Sequence, residues 1–238
     1  MTKETEMKKH IAAILMASAL ATSPAIAQDL SLKITNLTNG IYFTPFLVAA
    51  HDSSTHLFME GSVASSSLQA MAEGGDISGL STDVQAVGGN VVEDPAGGVL
   101  APGANTSFNL MSNTGNTHLS LTAMLLPTND GFVGADSIEV PTTAGTYTYY
   151  LNAYDAGTEA NNEVINGGGT PGVLGIPADP GGNNGTGGTG AASADNNTMI
   201  HIHRGNLGDL DATGGISDLD STVHRWLNPV AELVITVN

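Results

Sequence analysis

The chain contains no cysteine, only six lysines and arginines, and only 5% aromatic residues in 238 positions. Without cysteine there are no disulfides and no thiolate metal centres. Stability must come from a core or from ions held by oxygen and nitrogen ligands. So few bases form no positive stripe, which excludes nucleic acid and makes anionic lipid a poor partner without bridging cations. The shortage of aromatics argues against a sugar-stacking face. No Gly-x-Ser-x-Gly elbow occurs, and no glycine-rich phosphate loop carries a lysine. After the first 27 residues, no apolar run is long enough to cross a bilayer.

What is present begins with an export signal. Lys8 and Lys9 precede an apolar run over Ile11–Ala21, and Ala25-Ile26-Ala27 is a small-x-small cleavage site. This order predicts a signal peptide over 1–27, a mature start at Gln28, and delivery to the periplasm or the cell exterior. With no cysteine at the cleavage site, a lipid-modified N-terminus is not expected. Removing the leader leaves Lys33, Arg204 and Arg225 against 21 acidic residues, a net charge of −18. Such a surface is soluble and suited to cations. The stretch 28–238 is long enough for one all-β domain with a real core.

Leu30–Leu37 alternates apolar and polar residues and predicts a half-buried strand. Thr38-Asn39-Gly40 then reads as a hairpin turn into a second strand over Ile41–Ala49. Ser65–Glu73 predicts a short helix stopped by Gly74-Gly75. Residues 76–104 read as irregular loop, with one short extended piece at Val99 and Leu100. Thr106–Met111, His118–Leu126, Thr146–Ala153, Met199–His203 and Val230–Val237 read as further strands. Residues 166–190, rich in glycine, read as a flexible surface insertion too polar to pack. Short strands between turn signals define an all-β fold, an antiparallel β-sandwich with long loops.

Two acidic turns carry the chemistry. One is Pro127-Thr128-Asn129-Asp130-Gly131-Phe132-Val133-Gly134, and the other is Tyr154-Asp155-Ala156-Gly157-Thr158-Glu159. Each lies beside a strand. Hard cations such as calcium take several oxygen ligands, which loops supply. Asp130, Asp155 and Glu159 meet only if the two strand ends lie side by side. Each aspartate alone also reads as a turn former.

With these turns go Leu47-Val48-Ala49-Ala50-His51, Leu57-Phe58, Ala64-Ser65, His201-Ile202-His203-Arg204-Gly205 and Trp226-Leu227-Asn228-Pro229-Val230-Ala231. Together they resemble the spondin N-terminal domain, the module of F-spondin-like matrix proteins and of bacterial exported proteins, over nearly all of 30–238. The resemblance implies a C2-like β-sandwich that binds one calcium ion through Asp130, Asp155 and Glu159. Animal members carry Asp at the position matched by Glu159, and cysteines that this chain lacks.

Other clusters are weighed against that one. His201-x-His203 puts two imidazoles on one strand face, with His224 as a possible third, and imidazole suits zinc or copper. A metal-dependent zinc or copper enzyme is therefore the alternative function. Asp209-x-Asp211 and Asp218-x-Asp220 read as a solvated acidic loop, Glu60 and Glu73 as surface acids, and Trp226 as a core or rim anchor. The expected function is an exported calcium-binding adhesion module without a catalytic role, whose partner is a protein, a matrix polymer or a membrane.

Overall fold

The computed structural model describes residues 27–182 and 184–238. The expected signal peptide, apart from Ala27, lies outside them. In chain order the elements are β1 (Gln28–Asn36), β2 (Tyr42–Phe43), β3 (Leu47–His51), α1 (Ser66–Gly74), α2 (Ser78–Ala86) and β4 (Asn90–Glu93). Then come β5 (Asn105–Ser112), β6 (His118–Leu126), β7 (Gly131–Glu139), β8 (Gly145–Asp155), β9 (His201–Ile202) and β10 (Ala231–Val237). The strands form one antiparallel sheet in the order β4-β3-β6-β7-β8-β10-β1-β5, with β2 beside β6 and β9 beside β8.

The all-β antiparallel class is the one expected, and its two layers belong to a single sheet rolled over itself. The rolled ends are stitched by side chains. Asn90 Oδ1 accepts from Asn113 N at 2.8 Å and from Asn116 Nδ2 at 2.9 Å, and Thr106 Oγ1 donates to Pro95 O at 2.8 Å. Alternate residues of β1 and β10, such as Leu30, Leu32, Ile34, Leu233 and Ile235, fill the inside.

β6 is buried on both faces, beyond the half burial its alternation implies. The reason is a second layer outside the sheet. Leu68, Met71 and Ala72 of α1 and Leu80 and Val84 of α2 cover Leu47, Met124, Leu126 and Phe132. Helix α1 starts and stops as its sequence requires. Ser65 Oγ accepts from Leu68 N at 3.1 Å, and Gly75 closes the helix at φ 73°, a conformation glycine adopts without strain.

Four expectations are corrected. First, β1 and β2 do not pair as a hairpin; β1 lies between β10 and β5. The fully buried Asn36 diverts the chain. Its Nδ2 donates to Ile41 O and Leu100 O, and its Oδ1 accepts from Thr38 N. Second, the strand expected over Ile41–Ala49 splits in two around Thr44-Pro45, because proline has no N–H for the ladder. Third, residues 76–104 are not all loop. They contain α2, signalled by Leu80 and Val84 four apart, and β4, signalled by Val91-Val92.

Fourth, residues 166–190 do pack, and they do so through polar groups. Ile176 is fully buried. The N–H groups of Gly172 and Gly175 bond to Glu73 and Glu159. Those of Thr186, Gly187 and Gly188 all bond to Asp218 Oδ1 at 2.8–2.9 Å, while Ile165 N bonds to its Oδ2 at 2.7 Å. Burial alone would raise the Asp218 carboxyl; these N–H groups hold it below its ordinary value.

Asp218→Ala should therefore destabilise the protein by about 2 kcal/mol, since several partly buried donors lose one acceptor. Asp218→Asn should cost less. Urea denaturation checks both, and a surface acid would change stability by no more than about 0.5 kcal/mol.

Candidate metal centre

The first acidic turn joins β6 to β7. Thr128 Oγ1 donates to Leu125 O at 2.6 Å and accepts from Gly131 N at 3.0 Å, which tightens the turn. Gly131 stands opposite Asp155 in the β7–β8 ladder, and Ala156 N bonds to Asp130 O at 3.2 Å. The ladder thus sets Asp130 and Asp155 on adjacent strand ends. Gly131 has to be small, because a Cβ there would lie 2.8 Å from Thr128 Oγ1 and 3.1 Å from the His203 ring.

Asp130 and Asp155 are 0% and 2% exposed. Asp130 Oδ2 accepts from Thr158 N at 2.8 Å and Glu159 N at 3.1 Å, so the second acidic turn folds around it. Asp130 Oδ1 is buried and has no partner. Asp155 accepts from Gly157 N at 2.8 Å and Asn161 Nδ2 at 2.7 Å. Burial, and then the neighbouring Asp155 charge, push the Asp130 carboxyl up to about 7.

Glu159 joins the cluster through its main chain, while its carboxylate turns elsewhere. Oε2 accepts from Gly175 N at 3.0 Å and Asn129 Nδ2 at 3.2 Å, and Oε1 is buried without a partner. Burial and the nearby Glu73 push this carboxyl up to about 7, against the pull of those two bonds. Glu73 corrects the sequence reading. It is fully buried and accepts from Gln69 Nε2 and Gly172 N, whereas Glu60 is exposed as expected. Among the described residues, the three carboxylates of Asp130, Asp155 and Glu159 do not all meet within 4.8 Å; Asp155, Asp195 and His201 do. Nothing in the sequence around Asp195 marked it for this role.

Among the described residues, His201, His203 and His224 do not gather around one point. His203 is buried, its Nδ1 accepts from Gly205 N at 3.0 Å, and its ring packs 5.0 Å from Trp226. The proton therefore sits on Nε2, and burial lowers this imidazole to about 4. Neither nitrogen keeps a free lone pair for a metal. His224 lies apart, 3.4 Å from Asp179. His51 is closed into a buried network with Ser120 and Asp136. In the acidic loop at 209–220, Asp209 accepts from Asp211, Ile216 and Ser217 and Asp220 from Thr222, all within the loop, whereas Asp218 is buried and bonds outside it, so the loop is not wholly solvated as expected.

Buried carboxylates with uncommitted oxygens, on loops at the ends of an antiparallel sheet, define a β-module with an anionic tip. The chain belongs to the spondin N-terminal domain family: the family model described as Spondin_N matches residues 35–164. Domains of this family are typically extracellular and are not known as enzymes. The match takes in both acidic turns and all three expected ligands. It ends before the His201 and Trp226 segments, which the resemblance read from the sequence includes. No curated protein matches the chain. No helix among the described residues is long and apolar enough to cross a membrane.

The raised carboxyls set a pH dependence. Their ordinary values are 3.8 and 4.5, and both rise to about 7 in the fold. Between those limits the folded state holds more protons than the unfolded state, so their share of stability falls as pH rises. His203, with its lowered value, acts in the opposite sense from pH 6.5 down to about 4. In chelator-treated protein, the stability of wild type relative to Asp130→Asn should therefore fall by roughly 2–4 kcal/mol from pH 4 to 7. Urea denaturation at each pH measures it.

Proposed function

We propose that the chain is an exported interaction module, one domain over 28–238, whose strand-end loops are tied by one calcium ion at Asp130 and Asp155, with the Glu159 carboxylate swinging in from its bonds to Gly175 and Asn129 when the ion binds. The observation that carries this reading is Asp130 Oδ1, buried without a partner beside the charge of Asp155. Glu159 Oε1 is a second buried oxygen left uncommitted. Buried carboxylate oxygens left without partners match the preference of a hard divalent cation. Calcium, when bound, supplies the positive charge that this cluster lacks.

The residues of the chain do the rest. Asp130 draws in the second turn through Thr158 and Glu159, and Asn161 and Gly157 orient Asp155. The loops so fixed present an adhesive surface to a protein, a matrix polymer or a membrane. The leader expected over 1–27 and the extracellular character of the family support action outside the cytoplasm. No observation favours catalysis by His201 and His203.

Calorimetric titration of the untagged, chelator-stripped protein should give one calcium per chain. Calcium at about 100 times Kd should add about 2.7 kcal/mol of stability. Asp130→Asn and Asp155→Asn should each abolish both effects. Absence of both heat and thermal shift in the wild type ends this reading.

A further inference from the structure

A second site lies on the far side of Asp155. Strand β9 pairs with the end of β8 so that His201 stands opposite Asp155. Asp195 approaches from the preceding loop, and the three residues each offer one ligand atom within 4.8 Å of the others. His201 Nδ1 lies 2.8 Å from Met199 O. A carbonyl only accepts, so Nδ1 carries a proton, and in the neutral imidazole Nε2 is the nitrogen that offers a lone pair.

That Nε2 stands 3.8 Å from Asp155 Oδ2. The distance is too long for a hydrogen bond. It is close to the spacing of two ligands on one ion: bonds of about 2.0–2.1 Å in tetrahedral arrangement separate ligand atoms by roughly 3.4 Å. Each ligand side chain is already held by a neighbour, in Asp155 at the same Oδ2 that faces His201. Met199 O holds His201, Asn161 Nδ2 holds Asp155 at 2.7 Å, and Asn197 N holds Asp195 Oδ1 at 3.0 Å. A cavity of about 320 Å³ opens on all three, with Asn161, Asn197 and Arg204 also on its wall. The ion would keep room there for water or for a group from a partner.

We propose that Asp155, Asp195 and His201 form a binding site for a zinc-class divalent ion with an open coordination position. One imidazole with two carboxylates suits zinc, where calcium takes oxygen alone. The site is additional to the calcium reading and does not rest on it. Asp195 and His201 both lie beyond the 35–164 segment that the family model matches. The site uses His201 without His203, so it is not the paired-imidazole centre suggested by the His-x-His spacing.

The test titrates the untagged, chelator-stripped protein with zinc chloride in saturating calcium chloride, and with cobalt chloride as a visible reporter. One zinc per chain is expected, with cobalt giving the absorption of a four- or five-coordinate ion. His201→Ala and Asp195→Asn should each weaken zinc by roughly tenfold or more. Both residues are only partly buried, so these variants should fold, and circular dichroism checks it. Calcium binding should be unchanged in both, whereas Asp130→Asn should lose calcium and keep zinc. Zinc that binds equally well to either variant, or no saturable zinc in the wild type, overturns the proposal. So does a His201 imidazole that nitrogen NMR finds protonated at pH 7.5 and that zinc does not deprotonate, since the contact is then an ion pair with Asp155. Loss of calcium binding in the wild type with zinc retained would remove the calcium reading and leave this one standing.

Discussion

Buried carboxylates accepting main-chain N–H groups hold the loop half of this molecule to its sheet. Glu73 and Glu159 take the glycine-rich segment at Gly172 and Gly175, Asp130 takes the turn at Thr158 and Glu159, and Asp218 takes the stretch around Gly187. Glu163 takes Leu207 and Gly208. A chain without cysteine has no covalent staple for long loops, and one with so few bases cannot close them by ion pairs. The backbone amide is the donor left in quantity, and glycine lets it approach closely. Much of the acidic composition is therefore structural. Only part of it solvates the surface.

This arrangement explains which parts of the fold were legible in the sequence. β1 and β6 follow from alternation, β8 from its tyrosines and threonines, β5 and β10 from short apolar runs between turns, and α1 from Ser65 and the glycines that stop it, because those signals are local. The pairing of β1 was not legible, since Asn36 bonds to Leu100, far along the chain. α2 was hidden by its glycine and serine content, although Leu80 and Val84 mark its buried face. Residues 166–190 read as a flexible insertion because Glu73 and Asp218, distant in sequence, look like surface acids, and Glu159 reads as a metal ligand rather than as a partner of Gly175.

The candidate site divides in the same way. Asp130 and Asp155 were legible because each follows or precedes a strand and the ladder joins them. Glu159 was legible as a member of the turn, but its side chain direction depends on Glu73 and Asn129, which no local pattern reveals. Asp195 sits in a stretch of small and polar residues that gives no periodic signal, and only the β8–β9 pairing brings His201 toward it. Asp155 is the hinge of the chemistry, facing Asp130 on one side and His201 on the other.

The asparagine stitching between β4 and β5 limits how this module can associate. Asn90 of β4 reaches Asn113 and Asn116 just past the end of β5, so at that end the two outer strands lie against each other and leave less room for an added peptide strand or a second copy stacked edge on edge. Recognition at that seam must then be written in side chains, and specificity passes to the tips and faces of the molecule.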